Sequence, residues 1–132
     1  MSKLTITQFF EDLDAPLTNQ QWSWGAVRND GAVFFRVWED EIVGNEVLLL
    51  GPHRPANQKH GLTERYDHIA RVRAGAPCYL VVLTAVDPRV SPRTIESFDP
   101  HKLLIGGEIV ERDGSIHIEI KGQTTPMKVR GR

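Results

Sequence analysis

The chain has 132 residues, 40% of them hydrophobic and 25% charged, with a net charge of −1. That length suits one domain with a core of its own, and the near-zero charge excludes a global cationic field for nucleic acid or membrane. The single cysteine, Cys78, excludes an internal disulfide and suits a reducing compartment.

The first element predicted is a short amphipathic helix over Thr5 to Leu13. Thr5 or Thr7 caps it, Ile6, Phe9, Phe10 and Leu13 fall at helical spacing, and Pro16 ends it. The N-terminal segment lacks the apolar core of a secretory signal. No apolar run in the chain approaches the ~20 residues a membrane helix needs. A cytoplasmic, water-soluble protein without a membrane partner is therefore expected.

Two β-rich runs, Trp22 to Arg28 and Ala32 to Trp38, flank Asn29-Asp30-Gly31 and predict a hairpin. Glu46 to Leu50 is a further short strand. Gly51 to Gly61 is a polar, basic loop of a length that is often functional. Leu62 to Ala74 is the clearest helix, with Thr63 as cap, Glu64 in the first turn, Arg71 and Arg73 in the last, and Gly75 then Pro77 beyond its end. Leu62, Tyr66 and Ile69, with Val72 or Arg73, trace its expected buried stripe. Asp67 and Arg71 make an i,i+4 pair.

Cys78 to Val86 is apolar almost throughout, as a strand buried on both faces should be. Asp87 to Pro100 reads as a turn-rich connection. Lys102 to Glu111 and Ser115 to Lys121 form a last hairpin around Asp113-Gly114, with Gly106-Gly107 as a bulge. One globular domain over residues 1–123 is expected, followed by a basic tail, 124–132, that frays. The class is α+β: roughly six strands in a small, mostly antiparallel β-barrel or curled sheet with two flanking helices.

Three constellations bear on chemistry. A two-residue turn at Asp30-Gly31 places Ser23, Gly25, Arg36 and Trp38 on one face of the first hairpin, and Trp22, Trp24, Val33, Phe35 and Val37 on the other. The first face is unusual for a core. A planar ligand can stack on Trp38 while Arg36 supplies hydrogen bonds and Gly25 leaves room. The plainer alternative is an arginine paired with Glu39, Asp40 or Glu41 beside a half-exposed tryptophan; a one-residue slip exchanges the faces.

The histidines, His53, His60, His68, His101 and His117, match no metal-ligand spacing, so neither a metal nor a cofactor is expected. Asp99 with Glu119-Ile120-Lys121 has the spacing of a magnesium nuclease core, but alternating Ile-Glu-Ile-Lys is also how a half-buried strand reads. No catalytic motif is complete, and no catalytic residue is assigned.

The run Trp22-Ser23-Trp24-Gly25-Ala26-Val27, then Phe35-Arg36-Val37-Trp38, Glu64-Arg65 with His68, and Pro92-Arg93-Thr94-Ile95-Glu96-Ser97-Phe98-Asp99 resemble the N-terminal recognition module of bacterial HNH restriction-endonuclease-like proteins. The resemblance runs from about Thr5 to about Glu119. The sequence has no HNH segment, so the resemblance implies a recognition module without its nuclease, with a separate nuclease as a possible partner. By fold-level analogy it implies a PUA-like barrel, similar to the EVE and SRA domains that read modified bases.

The function implied is a non-catalytic DNA-binding domain that senses a modified or flipped base. Trp24 or Trp38 stacks on the base, Arg36 meets its edge or a phosphate, Ser23 adds a hydrogen bond, and Arg54, Lys59, Arg89 and Arg93 hold phosphates. Two alternatives stand beside it. One is a module of the same barrel type for a nucleotide-like or other planar small molecule. The other is a weak magnesium-dependent nuclease on Asp99, Glu119 and Lys121.

Overall fold

The fold comes from a computed structural model that describes residues 5–18, 23–51, 59–87, 89 and 95–130. Helix α1 spans Ile6–Asp12. Thr5 Oγ1 accepts from the Gln8 amide at 3.1 Å, and Gln8 Oε1 accepts from the Thr5 amide at 3.0 Å, a reciprocal cap that fixes the helix start. Strand β1 (Gly25–Val27) pairs antiparallel with β2 (Val33–Trp38). A 3-10 turn over Glu39–Glu41 leads to β3 (Ile42–Val43), which pairs with β4 (Glu46–Leu50) across Gly44, at φ 62°.

Helix α2 covers Lys59–Arg73, and β5 follows at Cys78–Ala85. Gly75, at φ 107°, closes the helix. Its amide donates to Val72 O and that of Ala76 to Arg71 O, so the last carbonyls are satisfied where only glycine adopts the backbone freely. Strand β6 (Ile95–Phe98) pairs with the end of β5. Strands β7 (Leu103–Arg112) and β8 (Ser115–Thr124) form the last hairpin, with Asp113 and Gly114 both at positive φ, as a two-residue turn requires. Helix α3 is Pro126–Arg130.

The strand order is β1-β2-β5-β7-β8-β4-β3, with β6 beside β5. All pairs are antiparallel except β2 with β5. β2 and β4 face each other across the interior without pairing, so the sheet is curled but not closed into a barrel.

Alternation gives the sheet two buried faces. Phe34, Val81 and Leu83 meet Phe9, Phe10 and Leu13 of the α1 segment and Val129 of α3 in one core. Val33, Phe35, Val37, Leu80, Val47 and Ile118 meet Ile69 of α2 in the other. Strand β5 is buried on both sides, as its continuous apolar run predicts.

Several expectations need correction. The first hairpin turns on three residues, Asn29-Asp30-Gly31, not two. Arg28 N donates to Ala32 O at 2.8 Å, and Gly31 takes a φ of 93°. Gly25 therefore stands opposite Phe35 and not Arg36. Helix α2 starts at Lys59, so Thr63 lies inside it and caps nothing, and Tyr66 is 44% exposed. The tail is not free beyond residue 123: β8 runs to Thr124, and α3 buries Val129. Among the described residues there are eight strands and three α-helices, more than expected, because β3, β6 and α3 are too short to carry a periodic signal.

Candidate functional site

The inward side of α2 is polar where the first hairpin crosses it. Glu64 and Arg65 each lie one turn before His68 on the helix, at i,i+4 and i,i+3 spacing. Arg65 is 6% exposed and His68 5%. The Arg65 guanidinium donates through Nη2 to Arg36 O at 2.9 Å and through Nη1 to Trp24 O at 3.4 Å. Its carbon lies 5.0 Å from the centre of the Phe35 ring and 5.7 Å from that of Trp24. Burial, with the neighbouring Arg36 charge, brings its pKa down to about 10. Its Nε has no hydrogen-bond partner among the described residues.

His68 tilts against Phe35 with ring centres 6.3 Å apart. Burial first, then the Arg65 charge, pushes its pKa down to about 4, so the ring is neutral at pH 7. Its Nδ1 is buried with no hydrogen-bond partner among the described residues. Glu64 Oε2 accepts from Ser23 Oγ at 3.2 Å. Burial raises the Glu64 pKa, while the Ser23 and Thr18 hydroxyls and the Trp24 amide favour the charged form. Among the described residues Glu64 Oε1 is the third buried polar atom with no hydrogen-bond partner. Three such atoms in one cluster call for an explanation.

The structure brings Ser23, Trp24 and Arg36 to this cluster. Ser23 is fully buried, and its carbonyl accepts from Arg36 Nη1 at 2.8 Å. Burial lowers the Arg36 pKa, and among the described residues Arg36 has no ion pair with Glu39, Asp40 or Glu41. Trp24 is half-buried against the core on the α2 side.

Gly25 and Trp38 fit the expected pocket less well. A Cβ on Gly25 would lie 2.3 Å from Phe34 O, so the hairpin's own backbone demands the glycine. Trp38 packs against the core on the α1 side. The expected single face of Ser23, Gly25, Arg36 and Trp38 is thus divided by the three-residue turn.

Of the phosphate candidates, Arg89 is exposed and held by Asp87 at 3.0–3.4 Å, and Lys59 opens α2. Arg54 and Arg93 lie outside the described residues, as do Trp22 and His53. Asp99 caps the turn after β6 by accepting from the His101 amide at 2.8 Å. It follows Phe98, which pairs with Leu83 near the end of β5. Glu119 and Lys121 instead line an open groove of about 700 Å³ with Cys78 and Tyr79, at the strand's start. The two ends are ~13 Å apart at strand rise, so Asp99 does not join Glu119 and Lys121. The Gly106-Gly107 bulge floors that groove. No group of three or more His, Cys, Asp or Glu that could hold a metal occurs among the described residues.

Sequence reasoning missed Glu64, Arg65 and His68 as site residues. An arginine in a helix is expected to face water, which moved the predicted stripe to Tyr66. No protein-family model, curated protein or solved structure matches the chain. No helix among the described residues is long and apolar enough to cross a membrane.

Proposed function

We propose that the chain is a non-catalytic DNA-binding domain that senses a modified or extruded base, with Trp24 as the stacking surface and Glu64, Arg65 and Ser23 reading the base edge. The observation that carries this reading is the convergence of three unpartnered buried polar atoms beside a half-buried tryptophan. A base brought out of its stack needs an aromatic face and hydrogen-bonding groups for its edge. Arg36 meets the edge or an adjoining phosphate, and Lys59, Arg54 and Arg93 supply the backbone contacts. A separate nuclease is the partner that would act on the sensed site.

The test is a titration of wild type, Trp24→Ala and Trp38→Ala against matched duplexes with and without one modified base. Losing a stacking aromatic costs ~1–3 kcal/mol per base, so Trp24→Ala should weaken binding to modified DNA about ten-fold or more. Trp38→Ala should lower thermal stability and leave the preference for modified DNA intact. A wild type without that preference, or a Trp24→Ala variant that binds like wild type, defeats the reading.

A second reading, a module for a free planar small molecule, has its own support. The net charge is −1, and Arg89 is already bound to Asp87, which weakens the case for a phosphate track.

A further inference from the structure

The arginines divide in an order opposite to the one desolvation favours. Arg28, Arg71, Arg73, Arg89 and Arg112 each hold an ion pair with an Asp or Glu. Four of these five have side chains about half or more exposed, where a partner is least needed. Arg65 is more than nine-tenths buried, and Arg36 is partly buried. Among the described residues neither has a carboxylate at ion-pair distance. Buried charges are ordinarily paired, because an isolated one is costly to desolvate.

Both guanidiniums are anchored on one dipeptide, Arg36 to the carbonyl of Ser23 and Arg65 to that of Trp24. Backbone carbonyls orient them without neutralising them, and Arg65 Nε retains an unused donor. The Glu41 and Glu64 charges act on Arg65 from beyond ion-pair distance, and Glu64 Oε2 accepts from the Ser23 hydroxyl.

We infer that Arg36 and Arg65 form the seat of an anion, and that the ligand of this site carries a compact oxyanion, phosphate or carboxylate, next to its planar ring. The inference rests on the base-binding reading for the ring and on the unpaired arginines for the charge. Arginine suits the role because its planar fork donates to two oxygens at once. The oxyanion has two sources in this chemistry, the phosphate of a nucleotide or an acidic substituent on the base itself.

Isothermal titration with two matched pairs separates them: thymidine against thymidine 5′-monophosphate, and uracil against orotate, which is uracil bearing a carboxylate. Inorganic phosphate is the ring-free control. At least one anionic member should bind about ten-fold or more tighter than its neutral partner, the scale of hydrogen bonds to a charged group. The pair with the larger ratio identifies the source. Arg36→Gln should abolish that ratio. Arg65→Met should do the same and, if it destabilises the fold, Arg36→Gln still decides the matter.

Neutral and anionic partners binding alike, a ratio that survives Arg36→Gln, or no binding by any probe overturns the anion seat. If inorganic phosphate binds as tightly as the nucleotide, the anion seat stands and the base reading falls. If the neutral probes bind as tightly as the anionic ones, the base reading stands and the anion seat falls.

Discussion

Helices α1 and α2 cover opposite faces of one sheet with opposite chemistry. The α1 segment inserts Phe9, Phe10 and Leu13, all fully buried, into a core with Phe34, Val81 and Leu83. α2 inserts Ile69, but also Arg65 and His68, against Phe35 and Trp24. The first face is built mainly by hydrophobic burial, with one arginine, Arg28, over the Phe34 ring, and that arginine is fully engaged with Asp30, Leu13 O and Val129 O. The second keeps groups that cost free energy to desolvate and leaves some of their hydrogen-bonding capacity unused. A sheet with a dry side and a polar side has one face for holding the molecule together and one with chemistry to spare.

Three measurements sharpen that contrast. The largest effect belongs to the dry face. Phe34→Ala removes a fully buried ring that stacks on Tyr79 with centres 5.3 Å apart. It should lower stability to denaturant by ~3–5 kcal/mol. A loss under ~1 kcal/mol would mean that this core is loosely packed and the two faces are alike.

The next effect belongs to the polar face. The folded-state pKa of His68 lies at about 4, below its ordinary 6.5. A depressed histidine contributes stability that is present above pH 6.5 and lost as pH falls from 6.5 to 4. The full loss is on the order of 3 kcal/mol. Glu64 works the other way: its raised pKa adds stability at low pH that is lost as pH rises through its folded value. Wild type should lose stability through the 6.5–4 window, and His68→Phe should flatten the curve there. An unchanged curve in His68→Phe would show that His68 is not the group responsible.

The smallest effect is the control. Asp67 and Arg71 pair on the outer side of α2 at 2.9 Å, both about half exposed. Asp67→Ala should cost no more than ~0.5 kcal/mol and fade in high salt. A larger loss would assign the outer side of α2 a role in the fold.

What the sequence made legible follows from which signals are local. The Thr5 cap, the Asp113-Gly114 turn, the Gly75 helix stop, the Gly106-Gly107 bulge and the apolar run of β5 depend on residues within a few positions of each other, and each is found where it is expected. The first hairpin shows the limit. Asn29-Asp30-Gly31 supports a two-residue or a three-residue turn, and a difference of one residue exchanges every side chain between the faces. The site was legible only in part. Ser23, Trp24 and Arg36 stand out in a β-rich stretch, but Arg65 and His68 look like surface residues of a helix. Only the tertiary placement of α2 over β1 and β2 turns them inward.

The single parallel pair has a consequence for assembly. β7 and β8 meet across a two-residue turn, whereas β2 and β5 pair with Val33 opposite Cys78, about 45 positions apart, and the intervening chain holds β3, β4 and α2. Loop-closure entropy rises slowly with length, so joining β2 to β5 costs about 2 kcal/mol more than joining β7 to β8. The residues gathered around Arg65 meet across part of that long connection: Ser23, Trp24 and Arg36 lie in or before β2, and α2 lies within the chain between the paired strands. Non-local pairings of this kind are the slow part of folding, which places the polar cluster among the regions of the molecule that form late.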